Sequence, residues 1–173
     1  FEVKKSAFYL TQVQIKSQEV PPPPVPGSPQ DLEDFRTLHD WQAKRTPEQC
    51  ASANSEARAT FEQIFKEKKI FPEPLAPEVS LFFKRLKEDG DVTVKFFKDK
   101  YARKRPFHAD KTLEPCLGRI GGLAYPSGHA TISRLLALVL GELVPHRKAL
   151  YLKRADEAGT DRVVGGVHHP ADI

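Results

Sequence analysis

The chain holds no methionine, one tryptophan and only two cysteines in its 173 residues. Opening on Phe1, with neither a start methionine nor a secretory leader, it is expected to be a mature chain from which a signal has been removed, as in a periplasmic or secreted protein. Long hydrophobic runs are missing too. The longest strongly apolar stretch is Leu135 to Leu140, broken soon after by Glu142, whereas a membrane-crossing helix needs roughly 18 to 20 apolar residues. No membrane span is expected. Cys50 and Cys116 lie far apart and match no metal-ligand spacing. They could form a disulfide in an oxidising compartment or stand as two free buried thiols, and the sequence leaves both open.

The excess of positive charge is small and local. Lys and Arg number 27 against 23 Asp and Glu, and much of the surplus of +4 falls in Lys95 to Arg105. That patch carries Tyr101 as the one aromatic among its final basic residues and belongs to no nucleic-acid-binding motif, so a nucleic acid partner is not expected. With 39% apolar and 29% charged residues the composition is that of an ordinary globular protein, and the length suits one domain with a real core.

Residues 1–27 read as an extended arm whose Pro21–Pro26 run is a stiff polyproline II spacer, because each ring fixes φ and removes a donor. Residues 28–173 read as a helical domain. Ser28-Pro29 and Thr46-Pro47 are N-caps followed by first-turn prolines, the second with a capping-box Gln49. Leu32, Phe35, Leu38 and Trp41 recur at three-residue steps behind the first cap. A third helix is expected from Pro77 to Asp89, stopped by Gly90, and a fourth from Asp91 through Tyr101. After Ser127, the residues Ile132, Leu135, Leu136, Val139, Leu140 and Leu143 form a stripe on one helix face that should be buried. A further helix is expected from about Pro145 to Ala158, closed by Gly159, with Thr160–Gly166 as a connection and Pro170 opening a last helix. Strand-type alternation is absent, so the fold class is all-α.

Three short segments carry chemistry: Lys98-x6-Arg105-Pro106, Pro126-Ser127-Gly128-His129, and Arg162-x5-His168-x3-Asp172. Ser127 caps a buried helix whose first-turn N–H groups and dipole favour an anion, and Gly128 lets the backbone approach it closely. A guanidinium offers phosphate a planar two-bond fork, while Lys98 acts as a point charge. His168 and Asp172 lie one helical turn apart, which brings a carboxylate under the imidazole. A hydrogen bond from Nδ1–H to Asp172 would leave Nε2 unprotonated, as a histidine nucleophile requires.

In this order and spacing the three segments resemble the signature of the type 2 phosphatidic acid phosphatase superfamily, and most closely the bacterial class A non-specific acid phosphatases, which are related to vanadium haloperoxidases. The proline run after Tyr9-Leu10, Leu152-Lys153-Arg154 and the whole of Arg162 to Asp172 add to the likeness. The resemblance implies a single-domain helical bundle and a metal-independent acid phosphatase of broad specificity for small phosphomonoesters. It implies His168 as nucleophile, Asp172 as its support and His129 as the proton donor and later base. Lys98, Arg105, Arg162 and the backbone around Ser127 and Gly128 would hold the phosphate oxygens. No cofactor or metal is implied, though phosphate or vanadate can occupy such a site. Homo-oligomers are implied as well. In the family the last helix continues beyond the point where Ile173 stands, so the chain is expected to be truncated there. One departure is Asp161, where the family has serine before the arginine, and weaker phosphate affinity is expected from it. A vanadate-dependent haloperoxidase and a non-catalytic phosphate-binding module are the alternatives.

Overall fold

The structure is a computed structural model and describes residues 8–65 and 68–173. Among them every regular element is helical, and they pack as one body. In the arm, Thr11 and Gln14 form a capping box that closes a single turn, α1 (Gln12–Lys16), inside a segment expected to be extended. Residues 1–7 of that segment lie outside the described residues. The arm is anchored at both ends of its described length. Buried Asp89 accepts the N–H groups of Phe8 (3.0 Å), Tyr9 (2.6 Å) and Leu10 (2.9 Å). Further along, the hydroxyls of Tyr101 and Tyr125 donate to the carbonyls of Val20 and Pro21.

Ser28 caps α2 (Pro29–Lys44), and the Thr46–Gln49 box caps α3 (Pro47–Ser55). In α2, Leu38 is buried but Leu32 is 61% exposed. A step of three falls short of the 3.6-residue turn, so residues repeated at that step drift off one face. The short α4 (Phe61–Phe65) supplies Phe61, whose ring stacks on Phe83 with centroids 4.2 Å apart.

Gly90 does not stop a helix. One continuous helix, α5 (Pro77–Tyr101), runs through it, because this glycine marks the crossing with α7 (Gly128–Leu143). A Cβ at position 90 would stand 2.3 Å from Ile132 Cδ1. Gly159 likewise lies inside a helix, α8 (Lys148–Val164), and packs against Ala130 and Ile173. The expected connection at 160–166 is therefore mostly helical. Gly166, with φ +77°, takes the left-handed turn that the sequence suggested for Gly159. Pro145–Arg147 is a 3-10 turn ahead of α8, and Pro170 opens another over Pro170–Asp172.

The main core gathers Phe65, Phe83, Ile132, Leu136, Leu140 and Tyr151 between α4, α5, α7 and α8. Leu143, the last residue of α7 and the end of its stripe, is 57% exposed. A second, smaller cluster of Leu38, Phe107, Leu113, Val163 and Val167 lies beneath the site. Phe107 follows Arg105-Pro106, within the short α6 (Pro106–Ala109), and Val163 and Val167 follow Arg162 and precede His168. Cys50 and Cys116 form a disulfide that ties α3 to the loop bordering this cluster. Arg45 reinforces the same corner by donating to the carbonyls of Val164 (3.0 Å) and Glu114. No described helix is long and apolar enough to cross a membrane.

Candidate active site

Lys98 and Arg105 flank a reversal of the chain. Ala102 ends α5 with φ +50°, and residues 102–105 then run without regular structure to Pro106, where α6 begins. Lys98 donates to the carbonyls of Leu123 and Ala124, the latter at 3.0 Å. Arg105 is 6% exposed and donates to the carbonyls of Val167 (2.9 Å) and Gly121 (3.2 Å). Its Nη1 also lies 2.6 Å from His168 Nε2. A guanidinium has only donors, so Nε2 is the acceptor in this contact.

That contact decides the histidine tautomer. With Nε2 accepting, the ring proton sits on Nδ1, which lies 3.2 Å from Asp172 Oδ2 and donates to it. Oδ2 also accepts the backbone N–H of His169 at 2.8 Å. The spacing of four residues thus delivers the carboxylate to the imidazole through a 3-10 turn rather than a full α-helix.

Ser127 caps α7, its Oγ accepting the Ala130 N–H at 3.2 Å. Its own N–H donates to Asp172 O at 2.8 Å, which joins the second and third segments through the backbone. A Cβ at Gly128 would meet only Val94 Cγ1, at an ordinary 3.5 Å. Packing within the protein does not demand glycine there. The free first-turn amides of α7 follow from helix geometry, since they have no carbonyl one turn earlier to bond.

Arg162 lies in the last turn of α8, 5% exposed. Its Nη2 donates to Ala53 O and lies 3.7 Å from Glu56 Oε1. Its carbonyl accepts the N–H groups of Val167 (3.1 Å) and His168 (3.3 Å), so the reversal at Gly166 places His168 directly over the helix end.

Burial dominates the electrostatics. It pushes the His168 imidazole down to about 4, with Arg105 and Lys98 adding to it against the pull of Asp172. Burial, then the charges of Arg162 and His168, carry His129 down to about 3. Lys98 falls to about 7 from burial and the nearby Arg105. Burial alone would raise Asp172, but its bonds to His168 and His169 prevail and hold it well below the carboxylate range. Four buried nitrogens have no hydrogen-bond partner among the described residues: Arg85 Nε, Arg105 Nε, Arg162 Nε and His129 Nε2. The last three belong to residues singled out in the sequence, and an oxyanion is the kind of acceptor that the Arg105 and Arg162 N–H groups lack here.

Two further residues escaped the sequence reading. Arg103, one of the basic residues of the Lys95–Arg105 patch, has a side chain only 9% exposed and bonds Asp172, Asp31 and Asp34. Its spacing in a basic run gave no sign of this. The one available signal was the pair Asp31 and Asp34, set on one face at the start of a helix. Glu56, 2% exposed, pairs with Arg154 and faces Arg162. Asp161 bears on both Glu56 and Arg162, helping to keep that guanidinium charged. Among the described residues no group of three or more His, Cys, Asp and Glu side chains is arranged to hold a metal ion.

No family model matches the chain. A non-specific acid phosphatase of Providencia stuartii is 34% identical over 98% of this chain and 73% of its own length. An acid phosphatase of Zymomonas mobilis subsp. mobilis is 30% identical over 88% of this chain and 61% of its own. A non-specific acid phosphatase of Salmonella typhi is 29% identical, over 96% and 71%. With a relative this similar along nearly its whole length, and with an imidazole set between a guanidinium and a carboxylate at the core of the fold, the chain belongs to the non-specific acid phosphatase family.

Proposed function

We propose that the protein hydrolyses small phosphomonoesters of broad structure through a phosphohistidine, without a metal ion, in the periplasm or outside the cell. The observation that carries this reading is His168, neutral and held between Asp172 at 3.2 Å and Arg105 at 2.6 Å, with its Nε2 lone pair on the cationic side. A phosphate monoester bound there would take over the Arg105 donors and free that lone pair for attack.

His168 Nε2 forms a bond to phosphorus as the ester P–O bond breaks, and the leaving alkoxide takes a proton from His129. Water then gives a proton to His129 and attacks phosphorus, the N–P bond breaks, and inorganic phosphate leaves. Transferring a phosphoryl group needs mainly positioning and charge stabilisation, which Lys98, Arg105, Arg162 and the first-turn amides of α7 would supply. Asp172 would hold the Nδ1 proton as positive charge develops on the ring. The disulfide accords with an oxidising compartment.

Turnover of p-nitrophenyl phosphate in EDTA tests the reading. The parent should turn over, and His168→Ala should lose at least about a thousandfold in kcat, as removal of a nucleophile does elsewhere. Acid quench of the parent should trap phosphate on His168. Full activity in His168→Ala, or turnover that EDTA abolishes, would sink it.

A further inference from the structure

Arg103 is the hub of a buried charge cluster that the reaction scheme does not use. Its side chain is 9% exposed. Nη1 donates to Asp172 Oδ1 at 2.8 Å, and Nη2 donates to Asp31 Oδ1 and Asp34 Oδ2, both at 2.9 Å. Each partner is itself tied to the backbone. Asp34 Oδ1 accepts the Ala171 N–H at 3.1 Å, and Asp31 Oδ2 accepts the Gly27 N–H at 2.9 Å. The Arg103 carbonyl accepts the Ala124 N–H at 2.7 Å, in the loop that Lys98 also holds.

The two oxygens of Asp172 therefore have separate duties. Oδ2 serves His168 and His169, and Oδ1 serves Arg103. With His169 bonded to Oδ2 on one side and Arg103 to Oδ1 on the other, the carboxylate cannot rotate about its last bond, and Arg103 is the side-chain tie that sets from the far side how Oδ2 faces His168. A cluster built only to stabilise the fold could satisfy Asp31 and Asp34 without reaching this oxygen.

We propose that Arg103 is a positioning residue of the site: by clamping Asp172 Oδ1 to the start of α2, it fixes the plane of the carboxylate that orients the His168 ring. This rests on the phosphatase reading for its effect on turnover, but not for its effect on the His168 hydrogen bond. Supporting groups of this kind typically change activity by about 10- to 100-fold when removed.

Arg103→Met tests it, with Arg103→Lys as the conservative partner. Because Arg103→Met leaves three buried carboxylates without their cation, Asp31→Asn/Asp34→Asn/Arg103→Met relieves that charge and serves wherever the single variant does not fold. Two quantities are read on folded protein. One is kcat and KM for p-nitrophenyl phosphate. The other is the His168 Nδ1–H proton resonance, assigned by its loss in His168→Gln. The expected result is a kcat lower by about 10- to 100-fold with KM changed by less than about threefold, a resonance that moves upfield or disappears, and partial recovery in Arg103→Lys. A parent-like kcat, or a resonance that stays in place, overturns the proposal. A parent that does not turn over p-nitrophenyl phosphate defeats the phosphatase reading by itself, and the resonance then decides the Arg103 clamp alone.

Discussion

At the scale of single residues, the site holds its histidines as free bases and its arginines as cations. Burial and neighbouring charge put His129 near 3 and His168 near 4, well under the usual imidazole value of about 6.5. A bound dianion reverses that local field, because it favours the charged form of any imidazole beside it. Between pH 4 and pH 6 an anion should therefore bind together with protons, and the sign follows: affinity rises as pH falls. Sulfate makes a clean probe, since it does not titrate in this range. We expect sulfate titrations at about pH 5.5, run by calorimetry in buffers of different ionisation heat, to show net proton uptake, with less of it in His129→Gln. Equal uptake in parent and variant would mean that His129 is not the group protonated. The same coupling would give the reaction its acid: His129 would acquire its proton as the ester arrives.

At the scale of elements, two glycines carry more than the sequence reveals. Gly90 reads as a helix stop, and Gly159 as a helix end, because glycine disfavours helix interiors. Both lie mid-helix, where another element comes too close for a side chain. Periodicity along one segment says nothing about which partner crosses it, so neither contact could be read from the chain. The caps were legible, since Ser28, Thr46 and Ser127 act through residues only three positions away. The bond between His168 and Asp172 was legible for the same reason, being local. Arg103 was not, because its three carboxylates lie 69 to 72 positions away. The crossing is open to test. Gly90→Ala should lower stability by about 1–3 kcal/mol through overpacking, in spite of the better helix propensity of alanine. Removing Ile132 Cδ1, the atom it would strike, should restore most of the loss in Gly90→Ala/Ile132→Val. Chemical denaturation would measure both, and a Gly90→Ala variant as stable as the parent would show that α5 and α7 can separate at little cost.

At the scale of the whole molecule, the arrangement depends on ties between distant parts. Backbone bonds from Ser127 to Asp172 and from His168 to Arg162 tie the start of α7 and the end of α8 to the segment that follows α8, so the site is made where those two helix ends meet. The arm, anchored at Asp89, closes over α5 from outside. The disulfide joins residues 66 positions apart and closes a loop that includes the whole of α4, α5 and α6. Closing a loop of that length restricts the unfolded chain by about 4 kcal/mol in the chain-entropy picture.

That covalent ring changes what a protease can achieve. Lys69 is exposed and lies within it, so a single tryptic nick there opens the backbone without dividing the molecule. Nicked protein should run as one band on a non-reducing gel and as two pieces once dithiothreitol is added, and it should stay intact enough in between to be assayed. Two bands without reductant would mean that the ring is not closed in solution. With the ring closed, the segment before the cut and the segment bearing the imidazole remain a single particle, and cleavage inside the loop becomes a scar instead of a separation.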